Sequence, residues 1–326
     1  MFRTRRRALT TVAVLISAAL VAAGCSSEGG KQSEDEGIAG ARLKFAMVTH
    51  APAGDTFFDI IRKGADAAAK RDNVEYTYTS DGDPTRQAVL IENAINSKPD
   101  GLLVSVPAPA ALTPAIKKAV AAGIPVIGFN AGRETYEQWG ALMYFGQDEA
   151  IAGNAAGQRL KTDGAGKVLC VIQAQGQSQL EARCNGVKQG FGNAVENINV
   201  TGTDLTSVRS TLESKLRQDP SITHVLTLGA PIALTAVQSV KDSGSKAKVV
   251  TFDTNPELAK AIQSGDVEWA VDQQPYLQGY LAVDFMALYK RNGNVLGGGK
   301  EVLTGPSFID KSNIDQIAQY AKNGTR

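Results

Sequence analysis

From residue 43 onward the chain alternates short apolar runs with stretches of helical periodicity, in two successive blocks. Residues 43–49 (LKFAMVT) form an apolar run ending in turn chemistry, and 57–71 follow with Phe58, Ile61, Ala65, Ala68 and Ala69 on one helical face. Strands are predicted at 74–79, 101–106 and 124–129 with helices between them; Asp83 caps the second helix and Pro84 starts it. The pattern restarts after Gln147, with strands predicted at 167–172, 199–204, 223–228, 247–252 and 267–271. A long helix at 276–291, a Gly297-Gly298-Gly299 turn, short strands at 302–303 and 307–309 and a helix at 312–321 follow. Parallel strands need a crossover, usually a helix, so the alternation implies parallel sheets with helices on both faces. The expected fold class is α/β, with two doubly wound parallel-sheet lobes, one per block.

Two such lobes leave a cleft, and in open parallel sheets ligands sit outside the carboxyl ends of the strands. That rule selects His50, the turn Gly54-Asp55-Thr56-Phe57-Phe58, Asn130, Gln173, Gly229, Asp253 and Gln273. Asp55 with Phe57 and Phe58 suits a sugar, whose C–H faces pack on rings while its hydroxyls donate to a carboxylate; the plainer reading is a helix cap with two core phenylalanines. Asn130 is either a ligand contact or a turn residue, and Asp253 either a contact or a helix cap. Arg183 opens the helix after residues 173–179 and offers five donors to the cleft, unless it is a solvated helix arginine. Pro275 marks a chain crossing, which puts Gln273 at hinge and cleft together. Tyr136 and Trp139 either lid the cleft or pack in the interior.

Residues 1–24 have the three parts of an export leader: Arg3, Arg5, Arg6 and Arg7, an apolar stretch at 8–21, and small residues before Cys25. A plain leader needs no cysteine there. A lipoprotein leader does, because the thiol receives the diacylglyceryl group, so Cys25 is the expected lipidation site. The apolar stretch is shorter than the ~20 residues that span a bilayer. Residues 25–41 lack aromatics and nearly all bulky apolar residues and read as a disordered tether. Outside the cytoplasmic membrane there is no nucleotide pool, which favours capture of small molecules over metabolic catalysis.

The formal charge is +1, and −3 once the four arginines of the leader are set aside. With no basic run and few aromatics, nucleic-acid binding has no support. Cys170 and Cys184 remain as an even pair in an oxidising compartment. A helix folding back on its preceding strand brings such positions together, so a disulfide is expected, with two buried thiols as the alternative. Two histidines are too few for a multi-histidine metal site. Asp81, Asp83, Thr85 and Glu92 resemble a calcium loop in part, but Arg86 stands where the loop needs glycine. No nucleophile–base pair emerges, and neither catalysis nor a cofactor is expected.

Taken in order, Gly54 to Phe58, Gly123-Ile124-Pro125-Val126-Ile127-Gly128-Phe129-Asn130, Gly146-Gln147-Asp148, Ala182-Arg183-Cys184-Asn185-Gly186, Val250-Thr251-Phe252-Asp253 and Asp272-Gln273-Gln274-Pro275 resemble the ribose/galactose-type (type I) sugar-binding proteins of bacterial ABC transporters, in their lipid-anchored form. The resemblance spans the chain beyond the tether. It implies sugar contacts at Asp55, Phe57, Phe58, Asn130, Arg183, Asp253 and Gln273. It also implies three hinge crossings, near Gly146, Pro275 and Gly305, with lobes at 42–146 plus 275–304 and 147–274 plus 305–326. Ribose binders commonly have Asp-Arg where this chain has Asn130-Ala131, and Asn-Asp where it has Gly229-Ala230, so a hexose, another pentose or a polyol such as inositol fits as well as ribose. The implied role is extracytoplasmic capture of a monosaccharide or polyol by a lipid-anchored monomer and delivery to an ABC permease. A receptor for a sugar-like signal or a nucleoside shares the fold, and a periplasmic enzyme is the remote alternative.

Overall fold

The computed structural model describes residues 40–326. The leader, Cys25 and all but the last two residues of the tether lie outside them. The described residues form two six-stranded sheets. The first contains β1 (Leu43–Thr49), β2 (Val74–Ser80), β3 (Gly101–Val104), β4 (Val126–Phe129), β5 (Met143–Gln147) and β11 (Val302–Gly305), in the order β11-β5-β4-β3-β1-β2. The second contains β6 (Lys167–Ile172), β7 (Val195–Asn199), β8 (Ile222–Thr227), β9 (Lys248–Phe252), β10 (Trp269–Asp272) and β12 (Ser307–Asp310), in the order β12-β10-β9-β8-β6-β7. Position for position, the two orders match. Neighbouring strands run parallel except β12, an antiparallel edge strand on β10.

Strand residues alternate between two apolar layers, as a sheet covered on both faces requires. Phe45 and Met47 of β1 face α1 (Thr56–Arg71) and α10 (Pro275–Asn292), whereas Ala46 and Val48 face α2 (Pro84–Asn96) and α3 (Pro109–Ala121). In the second sheet Val168 and Cys170 face the layer of α5 (Glu149–Thr162) and α6 (Ser178–Phe191). Leu169 and Val171 face the layer of α7 (Leu205–Gln218), α8 (Ala230–Ser243), α9 (Pro256–Ser264) and α11 (Ile314–Asn323). The chain crosses between sheets after β5, after β10 and between β11 and β12.

One helix pair per lobe is packed backbone to backbone through glycine. A Cβ at Gly64 of α1 would strike Tyr276 O of α10, and one at Gly279 would strike Ile61 O. In the α5–α6 pair, Gly153 faces Arg183 O, Gly157 faces Val187 O, Gly186 faces Ala150 O and Gly190 faces Asn154 O.

Three elements differ from the sequence reading. The strand expected at 199–204 is β7, which ends at Asn199; residues 200–204 turn instead, with Asp204 N donating to Thr201 O at 2.9 Å. An edge strand buried at Val195 alone has a polar sequence (VENIN), so β-branched Val200 and Thr201 gave a false signal. Wholly buried β5 (MYFGQ) has no alternation to reveal it. Tyr136–Trp139 form a short helix, α4, and both aromatics pack into the core of the first sheet rather than over the cleft.

Candidate ligand-binding site

The carboxyl ends of both sheets face one another across a cavity of about 390 Å³, in the size range of small-molecule sites. All seven residues singled out as ligand contacts line it, as do His50, Gln173 and Gly229; Tyr136 and Trp139 do not. The partial calcium pattern has another explanation: Asp81 pairs with Arg86 at 2.8 Å, and Asp83 caps α2 by accepting from Arg86 N at 2.9 Å.

The loop after β1 builds the first wall. Asp55 caps α1, its Oδ1 accepting from Phe57 N at 2.8 Å and Phe58 N at 3.2 Å. Capping and cavity lining thus belong to one side chain, and burial raises its pKa against the pull of those two amides. Phe58 is buried edge-on to Phe57 and His50, with centroid separations of 5.5 and 5.0 Å. His50 Nδ1 lies 2.8 Å from Ser105 Oγ. Ser105 is buried outside the cavity lining, and burial, aided by Arg183, pushes the imidazole down to about 3.

Asn130 and Asp253 occupy matching places after β4 and β9. Both have left-handed backbones, φ 62° and 64°, a conformation that Asn and Asp tolerate better than most residues. Each donates its N–H to the next strand, Asn130 to Phe145 O at 3.0 Å and Asp253 to Val271 O at 2.8 Å. Each side chain thereby leaves the sheet toward the cavity. Asp253 is not the cap of α9; Asn255 is, accepting from Leu258 N at 2.7 Å. Gln273 joins the pair: its Nε2 donates to Asp253 Oδ1 at 2.7 Å, and its Oε1 accepts from Asn130 Nδ2 at 3.4 Å. Burial pushes the Asp253 carboxyl up to about 7 even though Arg183 and Gln273 favour its charged form.

Arg183 is buried, not solvated. Its Nε and Nη2 donate to Glu149 Oε2 and Oε1 at 2.5 and 3.0 Å, and Nη1 donates to Leu228 O at 3.3 Å and lies 3.9 Å from Asp253 Oδ2. Burial opposes its charge, but Glu149 and then Asp253 hold its pKa above the ordinary arginine range. The guanidinium stacks over Phe252, 4.9 Å from the ring centroid. A disulfide joins the next residue, Cys184, to Cys170 of β6.

Two supporting residues escaped the sequence reading. Glu149 follows β5, so the rule that picked residues after strands would have flagged it had β5 been recognised. Gln278 is fully buried on α10; its Oε1 accepts from Asn130 Nδ2 at 3.3 Å and its Nε2 donates to Gln273 Oε1 at 3.1 Å. No local signal marks it.

The lobes also touch directly. Ser178 donates its N–H and its hydroxyl to Pro107 O at 3.0 and 3.1 Å, and Gln179 Nε2 lies 3.3 Å from His50 Nε2. Gln173 Oε1, Gln179 Oε1 and Thr254 Oγ1, on residues that line the cavity, have no partner among the described residues. Such a cavity offers carboxylate acceptors, amide and guanidinium donors, and aromatic faces to a molecule rich in hydroxyls.

A family model described as periplasmic binding protein domain matches residues 45–294. A crystal structure of a carbohydrate transporter from Acidothermus cellulolyticus 11B in complex with myo-inositol is 57% identical with a TM-score of 0.86, and the match covers 87% of this chain and 100% of that one. A xylose/arabinose-binding protein of Sulfolobus acidocaldarius is 27% identical over 95% of this chain and 87% of its own length. A ribose import binding protein of Bacillus subtilis is 24% identical over 70% of this chain and 75% of its own. Because the matched span takes in most of both sheets and every residue lining the cavity, the chain belongs to the periplasmic binding protein domain family.

Proposed function

We propose that this protein captures a neutral monosaccharide or polyol, with myo-inositol the first candidate, and delivers it to an ABC permease. The observation that carries this reading is the convergence of Asp55, Asn130, Arg183, Asp253 and Gln273 with Phe57 and Phe58 on one cavity between the lobes. The relative that is 57% identical and holds myo-inositol supports the choice of ligand. Hydroxyls donate to Asp55 and Asp253 and accept from Arg183, Asn130 and Gln273, while ring C–H faces rest on Phe57 and Phe58. The lobes at 42–146 plus 275–304 and 147–274 plus 305–326 hinge about their crossings, and ligand favours the closed form by bridging both. The protein catalyses nothing; ATP is used by other subunits. It acts as a monomer on the outer face of the cell membrane, held by lipid on Cys25 through the tether at 25–41. Replacing Cys25 with Ser should abolish incorporation of labelled fatty acid and release the protein from the membrane.

Calorimetry and thermal shift with myo-inositol, D-ribose, D-xylose and D-galactose test the assignment. A ligand at 100 times its dissociation constant should add about 2.7 kcal/mol of stability. No shift and no heat with any neutral sugar or polyol would sink the reading.

A further inference from the structure

Among the described residues, Arg183 is the only cationic side chain lining a cavity that also carries the carboxylates of Asp55 and Asp253. His50 adds no charge, since burial keeps its imidazole neutral. The ligand therefore meets a guanidinium whose charge is already committed. Glu149 stands behind Arg183, outside the cavity lining and 2% exposed. Both of its oxygens are engaged: Oε2 accepts from Arg183 Nε at 2.5 Å and Gln147 Nε2 at 2.8 Å, and Oε1 accepts from Arg183 Nη2 at 3.0 Å. This is the fork-to-fork geometry in which arginine binds a carboxylate most firmly. The Nη1–Nη2 edge remains, with Nη1 already near Leu228 O and Asp253 Oδ2.

We infer that Glu149 is a specificity-determining residue: by occupying the Nε–Nη2 edge of Arg183 from behind, it turns this guanidinium into a donor for neutral hydroxyls and denies it to sugar acids and phosphates. The inference rests on the polyol reading above and deepens it. An anionic ligand would have to displace Glu149 from a buried bidentate pair or bind beside three carboxylates with one shared cation. Burial makes both routes unfavourable, because charges taken out of water need their own partners. Glu149 is placed for this role by the first crossing, which leaves β5 at Gln147 and starts α5 at Glu149 itself.

The test is calorimetry on the wild-type protein, Glu149→Gln and Glu149→Asp, with myo-inositol and D-ribose as neutral probes and D-glucuronate as the anionic probe. Inorganic phosphate is added as a competitor. Wild type should bind its preferred neutral probe at least 100-fold more tightly than D-glucuronate and ignore phosphate. Glu149→Gln should narrow that ratio at least tenfold, with D-glucuronate or phosphate bound more tightly in absolute terms than by wild type. A purely structural role for Glu149 would weaken every ligand and create no gain. Should Glu149→Gln fail to fold, Glu149→Asp keeps the charge but is too short to reach Nε and Nη2 together, and a smaller gain of the same sign is expected. Neutral binding by wild type with no anion gain in any folded variant overturns this inference and leaves the polyol reading standing. Equal binding of D-glucuronate and the neutral probe by wild type also overturns it. Absence of neutral binding by wild type removes the polyol reading, and this one with it.

Discussion

Asp253 is a carboxylate whose proton is held to near neutrality by burial although an arginine lies 3.9 Å away. Hydroxyl donors from a polyol favour its ionised form, so binding should expel a proton below pH 7. Affinity should therefore rise as pH increases from about 5.5 to 8, by at most about tenfold per unit below the pKa near 7. The ligand-free protein should respond with the opposite sign. A carboxyl raised from 3.8 to about 7 contributes stability that is fully present below 3.8 and lost as pH rises through 7. Calorimetry and melting across this range check both slopes as the difference between wild type and Asp253→Asn, which cancels the contribution of the buried His50; pH-independent affinity in the wild type would refute the assignment. Asp253→Ala should cost about 1.5–3 kcal/mol of affinity, the scale for hydrogen bonds to a charged group. At this scale Asp55, Asn130, Asp253 and Gln273 were legible because each follows a strand, and the sheet fixes where such residues point. Glu149 was not, because the wholly buried β5 before it shows no alternation, and Gln278 was not, because it lies inside a helix and acts through another side chain.

Arg183 depends on its helix. α6 is held against α5 by four glycines that let backbones touch, and Gly153 packs on the carbonyl of Arg183 itself. Gly153→Val and Gly157→Val should each destabilise the protein by about 1–3 kcal/mol through overpacking. Only Gly153→Val should also weaken ligand binding tenfold or more, because Gly157 meets Val187 instead. Urea melts and calorimetry separate the two, and equal affinity loss would show that the helix contact does not set Arg183. The Cys170–Cys184 link closes 14 positions, and replacing both cysteines with Ala should cost about 3 kcal/mol in the loop-entropy account. Most elements were readable from periodicity and caps, as Asp83-Pro84 shows at the start of α2. The failures, β5 and β7, are a strand buried throughout and a polar edge strand; neither alternates as a half-buried strand does.

Across the whole molecule, the proposed closure would draw partly on the protein's own contacts between lobes. Ser178 bridges to Pro107 without lining the cavity, so Ser178→Ala should act on the opening equilibrium alone. Removing one hydrogen bond of about 1 kcal/mol should raise the dissociation constant about fivefold by depopulating the binding-competent form. Small-angle scattering should show the radius of gyration falling on ligand addition in wild type and the ligand-free variant more open. An unchanged affinity would mean that this contact follows closure without contributing to it. Periodicity, turn residues and strand-end placement by themselves determined an α/β chain with two sheets and the residues at their carboxyl ends, because burial patterns and turn chemistry are local in the sequence. Only the tertiary structure decided which of those residues meet. Arg183 and Glu149 are 34 positions apart, and Asn130 and Gln273 are 143 apart. Such pairings arise from crossovers between lobes and from glycine-mediated helix approach, which no local pattern encodes.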